Sequence, residues 1–185
     1  GNPHRWGVLR QGARKKLEYI AFGVFKGDLA RFRQKLQGLG VEIIDTPPVG
    51  EDGGVWFRNL DGMPMQVIEA DKCSPDTKAQ FLTRSVGPGE CAAVPRSKAP
   101  RVHPRRLSHF LIFTSDVMRD IDFYEKTLGL KLSDRSADAV AFMHGIHGSD
   151  HHLLALAGST GPGMHHCSWD VGTIQEVGVG GAHMA

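Results

Sequence analysis

Ten histidines occur among the 185 residues, and two of them, His109 and His166, stand at matching places in segments that look alike. The segments cover residues 17–24, 107–113 and 164–171. Aligned, they put Tyr19, His109 and His166 at one equivalent position of a weak internal repeat. A neutral imidazole is a metal ligand through either ring nitrogen. Two strands at equivalent places in paired modules would bring both rings into one cavity, where they could hold one ion. The separation, 166 − 109 = 57 residues, is one module length. Spacing alone would not join them; the repeat does. For either histidine alone, a hydrogen-bonded core residue on a strand is the competing reading.

The remaining candidates are weaker. His103, His144 and His147 sit near glycine or proline, in expected loops. His165 should point away from His166 by strand alternation, and so should Cys167. His183 lies near the last residue. Cys73, Cys91 and Cys167 are odd in number and form no CxxC pair, which fits a reduced, cytoplasmic setting.

Each of the three alike segments is short, apolar and rich in β-formers, as expected of buried strands. After the first, Gly27-Asp28 opens a helix to about Leu39, with Leu29, Phe32, Leu36 and Leu39 on one face and Gly40 as the stop. After the second, Ser115 or Asp116 can cap a helix carrying Val117, Ile121, Tyr124 and Leu128, ended by Gly129. Strand-like stretches follow both: 41–44, 55–57 and 65–68 in one case, 130–132, 140–143 and 152–156 in the other. A β-α-β-β-β module is therefore expected twice, and a third begins at Met164. The fold class is α+β, built of paired modules in two domains. Residues 1–82 form a domain without metal, 83–105 a proline-rich connection and 106–185 a metal-binding domain. Residues 1–10 read as the last strand of an earlier module and the third module stops early, so native segments are expected beyond both ends.

Composition excludes several classes. The hydrophobic fraction is 41%, the charged fraction 23% and the formal net charge +2, ordinary globular values that give no electrostatic case for nucleic acid or an anionic membrane. No apolar run is long enough to span a bilayer, and the first residues carry no signal-peptide core.

The pattern resembles the vicinal oxygen chelate superfamily, the fold of glyoxalases, bleomycin-resistance proteins and certain dioxygenases. Within it the chain is similar to type I extradiol dioxygenases of the 2,3-dihydroxybiphenyl-cleaving kind. The resemblance is carried by residues 17–24, 107–113, 151–156 and 161–171, and by Phe123-Tyr124-Glu125-Lys126-Thr127-Leu128-Gly129-Leu130. It implies four modules in two domains with the metal in the second, held by two histidines and a glutamate. The histidines correspond to His109 and, in the His165-His166 pair, to His166. The carboxylate would lie near the end of a fourth module; Glu176 comes too early and belongs to a helix. In the first domain Tyr19 and Gln66 stand where ligands would, so no metal is expected there.

The resemblance also implies a histidine beside the metal, in a motif where it precedes x-x-Ala. His152, in His151-His152-Leu153-Leu154-Ala155, fits best, with His151 second and a polar strand start as the plain alternative. An imidazole with a pKa near ~6.5 exchanges protons at neutral pH. Two histidines and a carboxylate on one octahedral face leave three open positions, which suits non-haem Fe(II), with Mn(II) as the variant. The implied reaction is extradiol cleavage of a catechol by O2 in an apolar-walled cavity, by a homo-oligomeric enzyme. Two other readings stay open: a glyoxalase-like metal-dependent isomerase or lyase, and a metal-free binding protein.

Overall fold

The computed structural model describes residues 4–72, 86–91, 96–98, 101–148 and 150–184. Cys73 and the expected boundary between residues 82 and 83 lie outside them. The first module runs β1 (Ile20–Val24), α1 (Leu29–Gly38), β2 (Ile43–Ile44), β3 (Val55–Arg58) and β4 (Pro64–Glu69). Its sheet has the order β1-β4-β3-β2, with β1 parallel to β4 and Ile20 opposite Met65. The second module runs β5 (Arg106–Thr114), α2 (Val117–Leu128), β6 (Lys131–Ser136), β7 (Val140–His144) and β8 (Leu154–Gly158). Its strands follow the same order, β5-β8-β7-β6, again with a parallel first pair and Phe110 opposite Leu154. The expected duplication of a β-α-β-β-β unit, in an α+β fold, is thus present register for register. A further strand, β9 (Gly163–Asp170), flanks β5 at the edge of the second sheet, and α3 (Ile174–Met184) follows it.

Local chemistry accounts for the helix ends. Asp116 accepts from the Arg119 backbone N–H at 2.9 Å and so caps α2. Gly129 ends it in the left-handed region at φ 73°, where a side chain would be strained. Gly40 ends α1 in the same way at φ 72°.

Residues 9–72 and 108–167 form one compact unit; the other described residues form a second. In the first unit one apolar core gathers Leu36, Phe57, Met65, Ile112, Tyr124, Met143, Leu154 and Leu156, all fully buried. A polar cluster ties the two modules together there. Asp61, after β3, accepts from the Ser115 hydroxyl at 2.6 Å and from Arg119 at 3.1 Å. Asn59 donates to the buried Tyr124 hydroxyl at 3.2 Å.

Several expectations need correction. Residues 4–12 form no strand; they join no ladder among the described residues. β1 begins at Ile20, so Tyr19 lies just outside it. β8 begins at Leu154, so His152 precedes the strand instead of opening it. No described helix is long and apolar enough to cross a membrane.

Candidate metal and proton-transfer site

His109 lies on β5 and His166 on the neighbouring β9. Their Nε2 atoms face each other at 3.2 Å, and the rings stand nearly perpendicular, at 77° with centroids 5.4 Å apart. Two nitrogens at that separation, each ~2.1 Å from a common ion, would subtend about 100° at it, between the angles of octahedral and tetrahedral neighbours. The sequence pair is therefore brought together with the right atoms facing. A bond between the two rings themselves would need one Nε2 to carry a proton and the other a lone pair.

His152 completes a row. It sits before β8, on the other side of β5 from β9, and its ring centroid is 4.2 Å from that of His109. Phe142 of β7 backs it at 4.9 Å. Its Nδ1 lies 3.2 Å from Nδ1 of the exposed His151. Between these two adjacent histidines, the structure thus sets His152 against His109.

Burial, with His166 nearby, lowers the pKa of His109, and the Asp150 carboxylate opposes the shift. Burial also lowers that of His152, helped by His109 and His151 and again opposed by Asp150. Both shifts favour the neutral rings, whose lone pairs can serve a metal or a proton. Asp150 also accepts from the Ser108 hydroxyl at 3.4 Å.

Alternation along the strands builds the floor. His109, Leu111 and Phe113 share one face of β5. Ala155 and Ala157 of β8 stand beside Leu111 and Phe113 in register, and Phe142 and Val140 of β7 continue the row. These six side chains form a separate apolar cluster. The opposite face, with Ile112, Leu154 and Leu156, belongs to the main core. Reading the sequence for polar groups missed this floor, although the alternation of Phe142 with the buried Ala141 and Met143 carried its signal.

The first module shows what becomes of the same positions without histidines. Gln66 stands where Ala155 stands in the second module, and Trp56 where Phe142 does. Tyr19 packs edge-on against Trp56 at 4.9 Å. The buried Gln66 amide donates to the Glu51 and Gly53 carbonyls at 3.2 and 3.0 Å. The preceding loop thus engages the group at the expected carboxylate position.

Among the described residues, no group of three His, Cys, Asp or Glu side chains could hold a metal. Glu176 is engaged elsewhere: its Oε2 accepts from the backbone N–H groups of Gly172 and Thr173 at 2.6 and 3.2 Å, capping α3. Of the remaining histidines, His144 lies 2.6 Å from the Ser133 hydroxyl and His147 meets Phe25 edge-on, with centroids 5.0 Å apart. His165 departs from simple alternation: its ring packs 5.2 Å from Phe113 and its Nδ1 lies 2.7 Å from Nδ1 of His166. Cys167 is half-buried and free.

Residues 106–185 match the Glyoxalase/Bleomycin resistance protein/Dioxygenase superfamily. Metapyrocatechase 2 of Cupriavidus necator is 47% identical over 180 residues, which are 97% of this chain and 56% of the relative. Among solved structures, a 2,2',3-trihydroxybiphenyl 1,2-dioxygenase from Sphingomonas wittichii strain RW1 superposes with a TM-score of 0.65 at 18% identity, covering 94% of this chain and 59% of the other. A Mn(II)-bound glyoxalase from Novosphingobium aromaticivorans gives 0.66 at 19% identity, covering 95% and 53%. These structural likenesses establish the fold. The chain spans about half the length of the relatives it matches.

Proposed function

This chain belongs, through its residues 106–185, to the Glyoxalase/Bleomycin resistance protein/Dioxygenase superfamily, and from that premise we propose that it is part of an extradiol dioxygenase that opens the ring of a catechol with O2. The observation that carries the proposal is the pair of Nε2 atoms of His109 and His166, 3.2 Å apart. That is the spacing of two imidazole ligands on one divalent ion, and it suits Fe(II), with Mn(II) as the variant. The 47% identity to a metapyrocatechase supports the reaction class. The third, carboxylate ligand belongs to the protein outside the described residues.

His109 and His166 would hold the ion, and when bound it would supply Lewis-acid and redox chemistry toward a catechol and dioxygen. The apolar floor of Leu111, Phe113, Phe142, Ala155 and Ala157 receives the flat arene and keeps water from it. His152 accepts a catechol proton. Its Nδ1 faces His151, so Nε2 is the atom left for that transfer, and a neutral ring is ready to take it. The bond adjacent to the two hydroxyls is then cleaved, and both oxygen atoms of O2 enter a semialdehyde-type product. In this reading residues 1–82 are a metal-free domain, 83–105 the connection and 106–185 the metal-binding domain, within a homo-oligomer.

The test is anaerobic reconstitution of the full protein with Fe(II), followed by 2,3-dihydroxybiphenyl and simpler catechols in air. A yellow ring-opened product supports the reading; its absence with every catechol, in protein that holds iron, refutes it.

A further inference from the structure

A metal-binding imidazole carries its one proton on the ring nitrogen away from the ion, and that N–H needs an acceptor to hold the ring and its tautomer. For His166 the nitrogen away from His109 is Nδ1, and it lies 2.7 Å from Nδ1 of His165. A hydrogen bond between these two nitrogens needs the proton on one of them and a lone pair on the other. If His165 donated, the proton of His166 would sit on Nε2, between His166 and His109, where the ion is proposed to lie. If His166 donates, its Nε2 keeps its lone pair facing Nε2 of His109. We infer that His165 is a positioning residue for His166: it accepts the Nδ1–H of His166 and reserves the Nε2 lone pair for the metal. This rests on the proposed role of His166 as a ligand.

The geometry of His165 suits that task. Its ring stands at 75° to that of His166, with centroids 4.8 Å apart. Phe113, 5.2 Å away, gives it an apolar surface to lie on. It is exposed, so its replacement leaves the core intact. Accepting at Nδ1 places its own N–H on Nε2.

The experiment is Mn(II) titration of the full protein, free Mn(II) being followed by electron paramagnetic resonance, with His165→Leu, His165→Asn and His166→Ala. His165→Leu should weaken binding roughly 10- to 100-fold, as losses of such outer partners do. His165→Asn should restore it, because the amide oxygen can occupy the place of the lost Nδ1. In the metal-free protein, the 15N spectrum of histidine-labelled material should show His166 protonated at Nδ1 in wild type and His165→Asn, and shifted toward Nε2–H in His165→Leu. If His165→Leu binds Mn(II) as tightly as wild type, or His165→Asn binds as weakly as His165→Leu, the inference is overturned. Failure of wild type to bind Mn(II), or unchanged binding by His166→Ala, would instead overturn the ligand reading beneath it.

Discussion

Arg119→Ala should cost about 2–3 kcal/mol of stability at pH 7, and much of that loss should disappear toward pH ~4.5. Arg119 lies between two carboxylates, 3.1 Å from Asp61 and 3.0 Å from Asp120. Those side chains are 6% and 0% exposed, whereas the arginine is 38% exposed. Removing one partner of a fully buried pair costs ~3–5 kcal/mol. Solvent screening of the half-exposed guanidinium brings the figure down to the level of two charged hydrogen bonds. For Asp61, burial by itself raises the pKa, but hydrogen bonds from Ser115, Thr114 and Arg119 outweigh it and hold the carboxyl below its ordinary value. Its contribution is therefore present above the ordinary aspartate range and lost as pH falls through the lower folded value. Burial raises the pKa of Asp120, and the bonds from Thr114 and Arg119 offset part of that. Without Arg119 the lowered pKa of Asp61 moves back up and the raised pKa of Asp120 rises further, so the folded variant takes up a proton on Asp120 before the unfolded chain does. It regains stability relative to wild type as pH falls below ~5. Urea unfolding at pH 7 and 4.5, followed by the fluorescence of the buried Trp56, gives both deficits. Asp61→Asn in the Arg119→Ala background should recover part of the pH 7 loss. A deficit equal at the two pH values, or below ~0.5 kcal/mol at pH 7, would refute this account of the cluster.

Other expectations concern single side chains. His152→Ala should keep the metal, measured by iron content, while turnover on a catechol falls ~10²- to 10⁴-fold; full activity would remove its proton role. Gly54→Ala should destabilise the fold by more than ~2 kcal/mol in thermal unfolding, since φ is +74° and an added Cβ would collide with the Val67 carbonyl oxygen.

The meeting of His109 and His166 was legible because a repeat repeats its geometry. Equivalent strands in duplicated modules present equivalent faces, and His109 and His166 needed nothing more to be paired. Helix ends were legible for local reasons: Asp116 and Gly129 act within a turn of themselves. Less visible was whatever depends on contacts far apart in the chain. Asp61 and Arg119 are 58 residues apart, and nothing near either one announces the other. Period-two alternation did not anticipate the contact of His165 with His166, because it fixes where each Cβ points and not how a ring turns about its own torsions to bring the two Nδ1 atoms within 2.7 Å. The strand expected over 152–156 began two residues late, at Leu154. The apolar pattern locates the ladder, but the point where pairing stops is settled by the partner strand. Glu176 comes too early in the chain for the carboxylate ligand and lies on a helix, and its side chain is taken up in capping α3.

The most direct measurement is a crystal structure of the protein loaded anaerobically with Fe(II), with anomalous diffraction recorded at the iron edge. The expected result is one peak between His109 and His166, with both Nε2 atoms ~2.1 Å from it. A peak elsewhere, or loaded protein in which either ring is turned away from the ion, would contradict the account.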